Sequence, residues 1–198
     1  MGTELILAST SPARRALLDS LGLPYRAVAP GVDERVSPGT VPEKAVELLA
    51  ERKARAVQAQ FPSAWIIGSD QLAVSGQTVL GKPADREAAR AQLQLLGRQE
   101  HRLVTGLCLL GPTFHRTLVD VARLRFYPLT PEELERYLDL EEWRGCAGGY
   151  RIEGAGQGLI CHLEGDRSSV QGLPLFPLVA MLRQVGVPFF PARSRSET

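Results

Sequence analysis

The sequence predicts an α/β fold, a mixed twisted β-sheet flanked by helices, on three observations. Short apolar runs of strand length (Leu5–Leu7, Trp65–Gly68) alternate with segments of helical period in the N-terminal half. Two long runs, Arg102 to Leu110 and Thr117 to Phe126, are separated by Gly111-Pro112 and read as an antiparallel pair. Most of the helical segments also carry their own start or stop residue.

The first strand surrounds Ile6 and Leu7 and leads into Ser9-Thr10-Ser11. There Ser11 suits a helix N-cap and Pro12 the first helical position, where its missing N–H costs nothing. The helix runs from about Pro12 to Leu21 with Ala16, Leu17, Leu18 and Leu21 as its apolar face, and Gly22 stops it. Tyr25 to Ala29 is a second short strand, followed by a polar Gly/Pro loop from Pro30 to Pro42 that carries Asp33 and Glu34. A long helix spans about Pro42 to Gln60. Trp65 to Gly68 is a buried strand with Ser69-Asp70-Gln71 at its end, and Leu72–Val74 and Thr78–Leu80 form a hairpin about Ser75-Gly76.

Asp85 caps a helix to about Leu96, which Gly97 ends. In the second long strand, Val119 and Val121 alternate in one phase and Ala122, Leu124 and Phe126 in the other, which predicts a bulge near Val121. Thr130 and Glu133 make a capping box for a helix from Pro131 to Leu140. Cys146 to Gln157 is a Gly-rich loop, Gly158 to Leu163 a strand, Gly165-Asp166 a turn and Leu173 to Val185 the last helix. Residues 1–190 read as one domain, and Pro191 to Thr198 as a polar, disordered tail.

Composition narrows the function classes. A chain of 198 residues with 44% hydrophobic and 23% charged residues has the make-up of a soluble globular protein with one core, in one body or two lobes. A formal net charge of +1 lacks the basic excess of a nucleic-acid binder, yet leaves room for a small anion at a local cationic cluster. Cys108, Cys146 and Cys161 are too few and scattered for a disulfide framework or a zinc site, and read as buried free thiols in a reducing compartment. With neither a signal-peptide pattern nor a membrane-length apolar run, the expectation is a cytoplasmic protein without membrane partners.

Three hydroxyls (Ser9, Thr10, Ser11) and two guanidinium groups (Arg14, Arg15) crowd a helix N-terminus, an arrangement suited to phosphate. An ordinary strand-to-helix turn with a solvated arginine pair would read the same way, and neither a Walker A loop nor GxGxxG is present. Asp70 is the strongest single candidate for chemistry. At a strand end it faces the crevice where α/β proteins bind ligands, and Asp33 and Glu34 could converge on it to hold Mg²⁺ or Mn²⁺ and position a water. A turn-capping Asp and two solvated loop acids are the alternative. Lys82, pinned between Gly81 and Pro83, could meet a phosphate or simply sit in water, and Lys53 is a weaker candidate because most helix lysines face solvent. Glu153, on a Gly-rich loop, could accept from a guanine edge, and Tyr150 could stack on a base or close a core. His101, His115 and His162 lack the spacing of a metal site or triad and read as structural or surface residues.

Taken together these residues resemble the Maf family of nucleoside triphosphate pyrophosphatases. The matching segments are Leu7-Ala-Ser-Thr-Ser-Pro-Ala-Arg-Arg-Ala-Leu-Leu18, Val32-Asp-Glu34, Gly68-Ser-Asp-Gln71 with Gly81-Lys-Pro83, Ala147-Gly-Gly-Tyr-Arg-Ile-Glu-Gly154, Glu164-Gly-Asp166 and Val170-Gln-Gly-Leu-Pro174. They lie in order between about Glu4 and Val185. The resemblance implies a two-lobed fold related to inosine triphosphate pyrophosphatase (Maf/Ham1) with a cleft between the lobes. It further implies hydrolysis between the α- and β-phosphates, a divalent cation (Mg²⁺, Mn²⁺ or Co²⁺) and a homodimer. By matching, Asp70 is the proton acceptor. Ser9, Arg14, Arg15, Lys53 and Lys82 bind the triphosphate, and Glu34 with Asp70 surrounds the metal.

Three family positions sort substrates: Arg, Thr and Gln in the dTTP/UTP branch; Trp, Gln and Glu in the 7-methyl-GTP branch. Here they are Ala13, Gln71 and Glu153, two of three resembling the 7-methyl-GTP branch. A carboxylate suits a cationic base that presents N1–H and N2–H₂ donors, whereas Ala13 lacks an aromatic face to stack on it. The resemblance therefore implies hydrolysis of 7-methyl-GTP to 7-methyl-GMP and diphosphate, clearing a modified nucleotide. A dTTP/UTP pyrophosphatase and a nucleotide-binding regulator of cell division (septum formation) with little catalysis are the alternatives.

Overall fold

A computed structural model describes residues 4–190. Among the described residues seven strands form one mixed sheet in the order β2-β1-β3-β5-β6-β7, with β4 paired to β3 off that path. Strand β1 (Leu5–Leu7) is parallel to both β2 (Arg26–Ala27) and β3 (Trp65–Ser75), and the remaining pairings are antiparallel. The helices are α1 (Pro12–Asp19), α2 (Pro42–Gln58), α3 (Arg86–Leu96), α4 (Pro131–Asp139), the single turn α5 (Arg167–Val170) and α6 (Leu175–Gln184). The predicted caps are present: Ser11 on α1, Asp85 on α3 and the Thr130–Glu133 box on α4. The sequence reading left α5, which Asp166 caps, unassigned between the Gly165-Asp166 turn and the last helix.

Two expectations about the strands change. Trp65 to Ser75 is one strand of eleven residues, paired throughout its length with β5 (His101–Leu110) or with β1, so Asp70 lies in mid-strand. Nor is there a bulge near Val121: β6 (His115–Phe126) keeps one register with β5, and the shift falls at Arg125/Phe126 opposite β7 (Ile160–Glu164). The change of apolar phase along β6 has another cause, since the sheet is covered on both faces. Val119 and Val121 pack with Val46 of α2, and Ala122, Leu124 and Phe126 pack with the α3–α4 body. Burial switches face while the strand stays regular.

Apolar packing gathers in two large bodies at opposite ends of the long strands. One joins α1 and α6 to β1 and the start of β3; the other joins α3 and α4 to the far ends of β3, β5 and β6. On the opposite face α2 lies close against the sheet because two glycines allow it. A Cβ on Gly68 would meet the Ala50 carbonyl oxygen at 2.1 Å, and one on Gly106 would meet that of Val46 at 2.2 Å. Helix backbone thus rests directly on strand backbone. Of the three cysteines only Cys108 is buried; Cys146 is half-buried and Cys161 exposed, contrary to the expectation that all are buried. Among the described residues no helix is long and apolar enough to cross a membrane.

Candidate active site

The site forms where β3 outruns its neighbours. β1 pairs with β3 only as far as Ile67, and β4 (Thr78–Leu80) joins only from Ala73. Between these limits one edge of β3 has no strand partner among the described residues. A cleft of about 790 Å³ opens there, lined by the Ser9–Arg14 turn, Glu34, Lys53, Asp70, Gln71, Lys82 and the Tyr150–Glu153 loop. The Trp65 N–H donates to the Glu4 carbonyl and the Ile67 carbonyl accepts from the Ala8 N–H, each at 2.8 Å. Strand alternation then turns the main-chain groups of Ser69 and Gln71 toward the same open edge. The mid-strand Asp70 reaches a crevice because its parallel neighbour stops short.

Alternation also puts Asp70 on the face of Gly68, and register sets it opposite Gly106. Those two glycines bring α2 close, so Lys53, a helical turn beyond Ala50, reaches the carboxylate. Lys53 Nζ donates to Asp70 Oδ1 at 2.5 Å and to Glu34 Oε1 at 2.7 Å. Lys53 and Asp70 are buried and Glu34 is exposed. The Lys53 hydrogen bond holds the Glu34 carboxyl below its ordinary range against partial burial, with Lys82 and Arg14 adding to the effect. Glu34 is in reach because Arg52, beside Lys53 on α2, donates from Nη1 to the carbonyls of Asp33 (2.6 Å) and Arg35 (2.9 Å) and so pins the loop. Asp33 itself turns away into an exposed ion pair with Arg35 and does not join the cleft.

Arg14 is fixed from three sides. Nε donates to the Gly172 carbonyl at 2.7 Å, Nη1 points to Ser9 Oγ at 3.5 Å, and its N–H is capped by Ser11 Oγ. Burial lowers its pKa, opposed by Asp70 and Glu34, and an arginine stays charged through such a shift. Gly172 sits at φ +99°, and a Cβ there would meet Arg14 Nε at 3.2 Å. Lys82 is exposed at the cleft wall. Arg15 lies outside the cleft lining: it is exposed, and its carbonyl accepts from the Tyr25 hydroxyl. The structure therefore brings together Ser9, Arg14, Glu34, Lys53, Asp70 and Lys82, and leaves Arg15 outside.

On the opposite wall Glu153 is exposed on a loop held by Glu142, whose carboxylate accepts from the Ala155 and Gly156 N–H groups at 3.0 and 3.2 Å. Ala13 lines the same cleft. Arg151, which sequence reasoning passed over, lines it too, with Nε toward Cys146 Sγ (3.2 Å) and Nη2 on the Arg144 carbonyl (3.1 Å). Arg52 and Gly172 were also missed. Their contributions run through main-chain atoms distant in sequence, and only the glycine in Val170-Gln-Gly-Leu-Pro174 gave a signal. His101 is a structural residue: it is fully buried, its Nε2 lies 2.9 Å from the Tyr150 hydroxyl, and burial pushes its pKa down to about 4.

The donors fit a hard divalent cation. Glu34 and Asp70 meet at one ammonium, so their oxygens lie close together, and two carboxylates plus substrate phosphates are a usual Mg²⁺ set. Four cationic side chains and three carboxylates line the cleft. That wall is nearly balanced and leaves most of a triphosphate's charge uncompensated unless a cation comes with it. The described residues hold no group of three or more His, Cys, Asp or Glu that could bind a metal without such substrate oxygens.

The family described as Maf-like protein matches residues 4–185. Over 187 residues the chain is 45% identical to the 7-methyl-GTP pyrophosphatase of Nitrosococcus oceani, covering 93% of this chain and 94% of that one. It is 40% identical to the dTTP/UTP pyrophosphatase of Symbiobacterium thermophilum, again over 187 residues, covering 94% and 96%. Among solved structures, the Ham1 protein of Staphylococcus aureus aligns with a TM-score of 0.45 and 16% identity over 64% of this chain and 73% of that one.

Proposed function

Because the chain belongs to the Maf-like protein family, we propose that it is a nucleoside triphosphate pyrophosphatase acting on 7-methyl-GTP. The observation that carries this reading is the triad of Asp70, Lys53 and Glu34 on the open edge of β3, beside Arg14 and Lys82. Mere nucleotide binding has no use for a buried carboxylate set next to the phosphate ligands.

Lys53 holds Asp70 by Oδ1, and Oδ2 has no hydrogen-bond partner among the described residues. Asp70 takes the proton of a water that attacks the α-phosphorus, and the bond to the α–β bridging oxygen breaks. Arg14, Ser9 and Lys82 bind the departing pyrophosphate and oppose the charge that builds on it. Lys53 counters the charge of both carboxylates and keeps Asp70 aimed at the cleft. Glu34 and Asp70 would hold a divalent cation, of the Mg²⁺, Mn²⁺ or Co²⁺ kind, which supplies charge neutralisation and a more acidic bound water.

Glu153 is the base-reading group in this proposal. Its carboxylate accepts from N1–H and N2–H₂ and faces the positive charge of a 7-methylated guanine. A second reading, pyrophosphatase action on dTTP or UTP, draws on the relatives so named and on Ala13, which matches neither substrate branch. Pyrophosphate release from a panel of triphosphates with Mg²⁺, Mn²⁺ or Co²⁺ tests the proposal. Release greatest from 7-methyl-GTP, and weakened more for that substrate than for UTP by Glu153→Gln, is the expected result. No release from any triphosphate sinks it.

A further inference from the structure

A row of polar side chains crosses the sheet beneath the cleft. Gln71 on β3 is in register with Thr105 on β5, and Thr105 with Asp120 on β6. The row faces α5, whose Ser169 closes it. Ser169 Oγ donates to Asp120 Oδ2 at 2.5 Å, and the Ser169 carbonyl accepts from Thr105 Oγ1 at 3.0 Å. Thr105 and Ser169 are fully buried.

This row decides which way the Gln71 amide points. Its Nε2 shares its two protons among three acceptors: the Ser169 carbonyl at 2.6 Å, Thr105 Oγ1 at 3.0 Å and the Val170 carbonyl at 3.2 Å. Turning the amide over would put its oxygen against two carbonyl oxygens that cannot donate. Thr105 is the keystone of this arrangement: its one proton goes to the Ser169 carbonyl and holds it in place, leaving only a lone pair for Gln71, so loss of the hydroxyl removes one acceptor and frees the α5 carbonyls as well. Among the described residues Gln71 Oε1 has no protein donor; it is not enclosed, and it belongs to a residue that lines the cleft.

We infer that Thr105 and the α5 carbonyls are a polarity lock that makes Gln71 an acceptor-only group, so the cleft selects a base presenting N–H donors there. The inference rests on the pyrophosphatase reading and deepens it. A free glutamine amide can rotate to suit either a donor or an acceptor, as a pyrimidine carbonyl requires. A locked one cannot, and with Glu153 it gives the base two acceptors and no donor. Thr105 touches no substrate atom; it is a positioning residue.

The test compares kcat and KM for 7-methyl-GTP and UTP in wild type, Thr105→Val and Thr105→Ser. Valine removes the hydroxyl at similar size, and serine keeps it. The expected result is that Thr105→Val lowers the 7-methyl-GTP over UTP ratio of kcat/KM about tenfold, through KM with little change in kcat, and that Thr105→Ser restores it. An unchanged ratio, or an equal fall in kcat for both substrates, overturns the lock. Should the valine variant fail to fold, ¹⁵N-labelled wild type gives the answer. The Gln71 side-chain NH₂ should exchange slowly in the free protein, and its proton shifts should stay put when 7-methyl-GMP binds. Fast exchange, or a large shift on binding, overturns it. Failure of wild type to cleave either triphosphate refutes the pyrophosphatase reading instead and leaves the exchange measurement to judge the lock.

Discussion

The ammonium of Lys53 lies 2.5 Å from the carboxylate of Asp70, and both side chains are buried. A pair withdrawn from water in this way makes a large demand on each partner, because removal of one leaves the other's charge uncompensated. Lys53→Met should therefore cost about 3 kcal/mol of stability as well as activity. Urea unfolding with pyrophosphate release reads both, and a fully stable variant would show that solvent alone already satisfies the Asp70 carboxylate.

Asp70→Asn keeps the shape of the side chain and a hydrogen-bonding oxygen for Lys53 but removes the proton acceptor. Turnover should fall by about 10²–10⁴-fold with nucleotide binding little changed, and the loss of stability should stay below that of Lys53→Met because Glu34 still faces the Lys53 ammonium. Single-turnover kinetics beside a binding isotherm check this.

The loop carrying Glu34 is held by Arg52 through two carbonyls. Arg52→Ala frees that loop while leaving every group that touches substrate in place. The concentration of Mg²⁺ or Mn²⁺ needed for half-maximal rate should rise several-fold, with kcat at saturating metal near wild type. Chelation by EDTA should abolish activity and added metal restore it. An Arg52→Ala variant with an unchanged metal titration would remove the loop from metal binding.

Gly106 gives α2 its close approach, and the Cβ of Gly106→Ala would lie 2.2 Å from the Val46 carbonyl oxygen. The helix must shift outward, carrying Lys53 with it. A loss of about 2 kcal/mol, typical of overpacking, should accompany a fall in kcat that exceeds what the stability loss explains at temperatures where the variant is folded.

Burial brings the His101 pKa down to about 4, whereas an unfolded histidine titrates near 6.5. Between these values the unfolded chain binds a proton that the folded protein excludes, so stability rises with pH across that window and is flat above it. Acidification from pH 7 to pH 4 should remove about 3 kcal/mol through this residue. Urea midpoints measured in His101→Gln should show a correspondingly shallower acid slope.

Much of the fold was legible in local signals. The caps at Ser11, Asp85 and Thr130, the Pro42 helix start and the strand from Arg102 to Leu110 were read from residues close together in the chain, and they stand where expected. Those signals have short-range causes: a side-chain oxygen near a free N–H, a fixed φ, a period of burial. The errors came where burial depended on distant partners. The phase change in β6 looked like a bulge because sequence does not say that α2 covers one face and the α3–α4 body the other. Ser69-Asp70-Gln71 looked like a strand end because the polar triplet breaks an apolar run, whereas β5 continues the pairing beneath it.

What the sequence by itself determined is the inventory: an α/β chain, the residues that could carry phosphate chemistry, and motifs whose order resembles the family that the comparison then matched over residues 4–185. The tertiary structure alone decided which of them meet. It drew Glu34, Lys53 and Asp70 to one nitrogen, left Arg15 and Asp33 outside, and turned the Gln71 amide by means of Thr105 and α5. The reason is geometric. Where a side chain points follows from strand parity and helix period, but what it touches depends on where β1 stops, how near two glycines let α2 approach, and which carbonyls a distant turn of helix delivers.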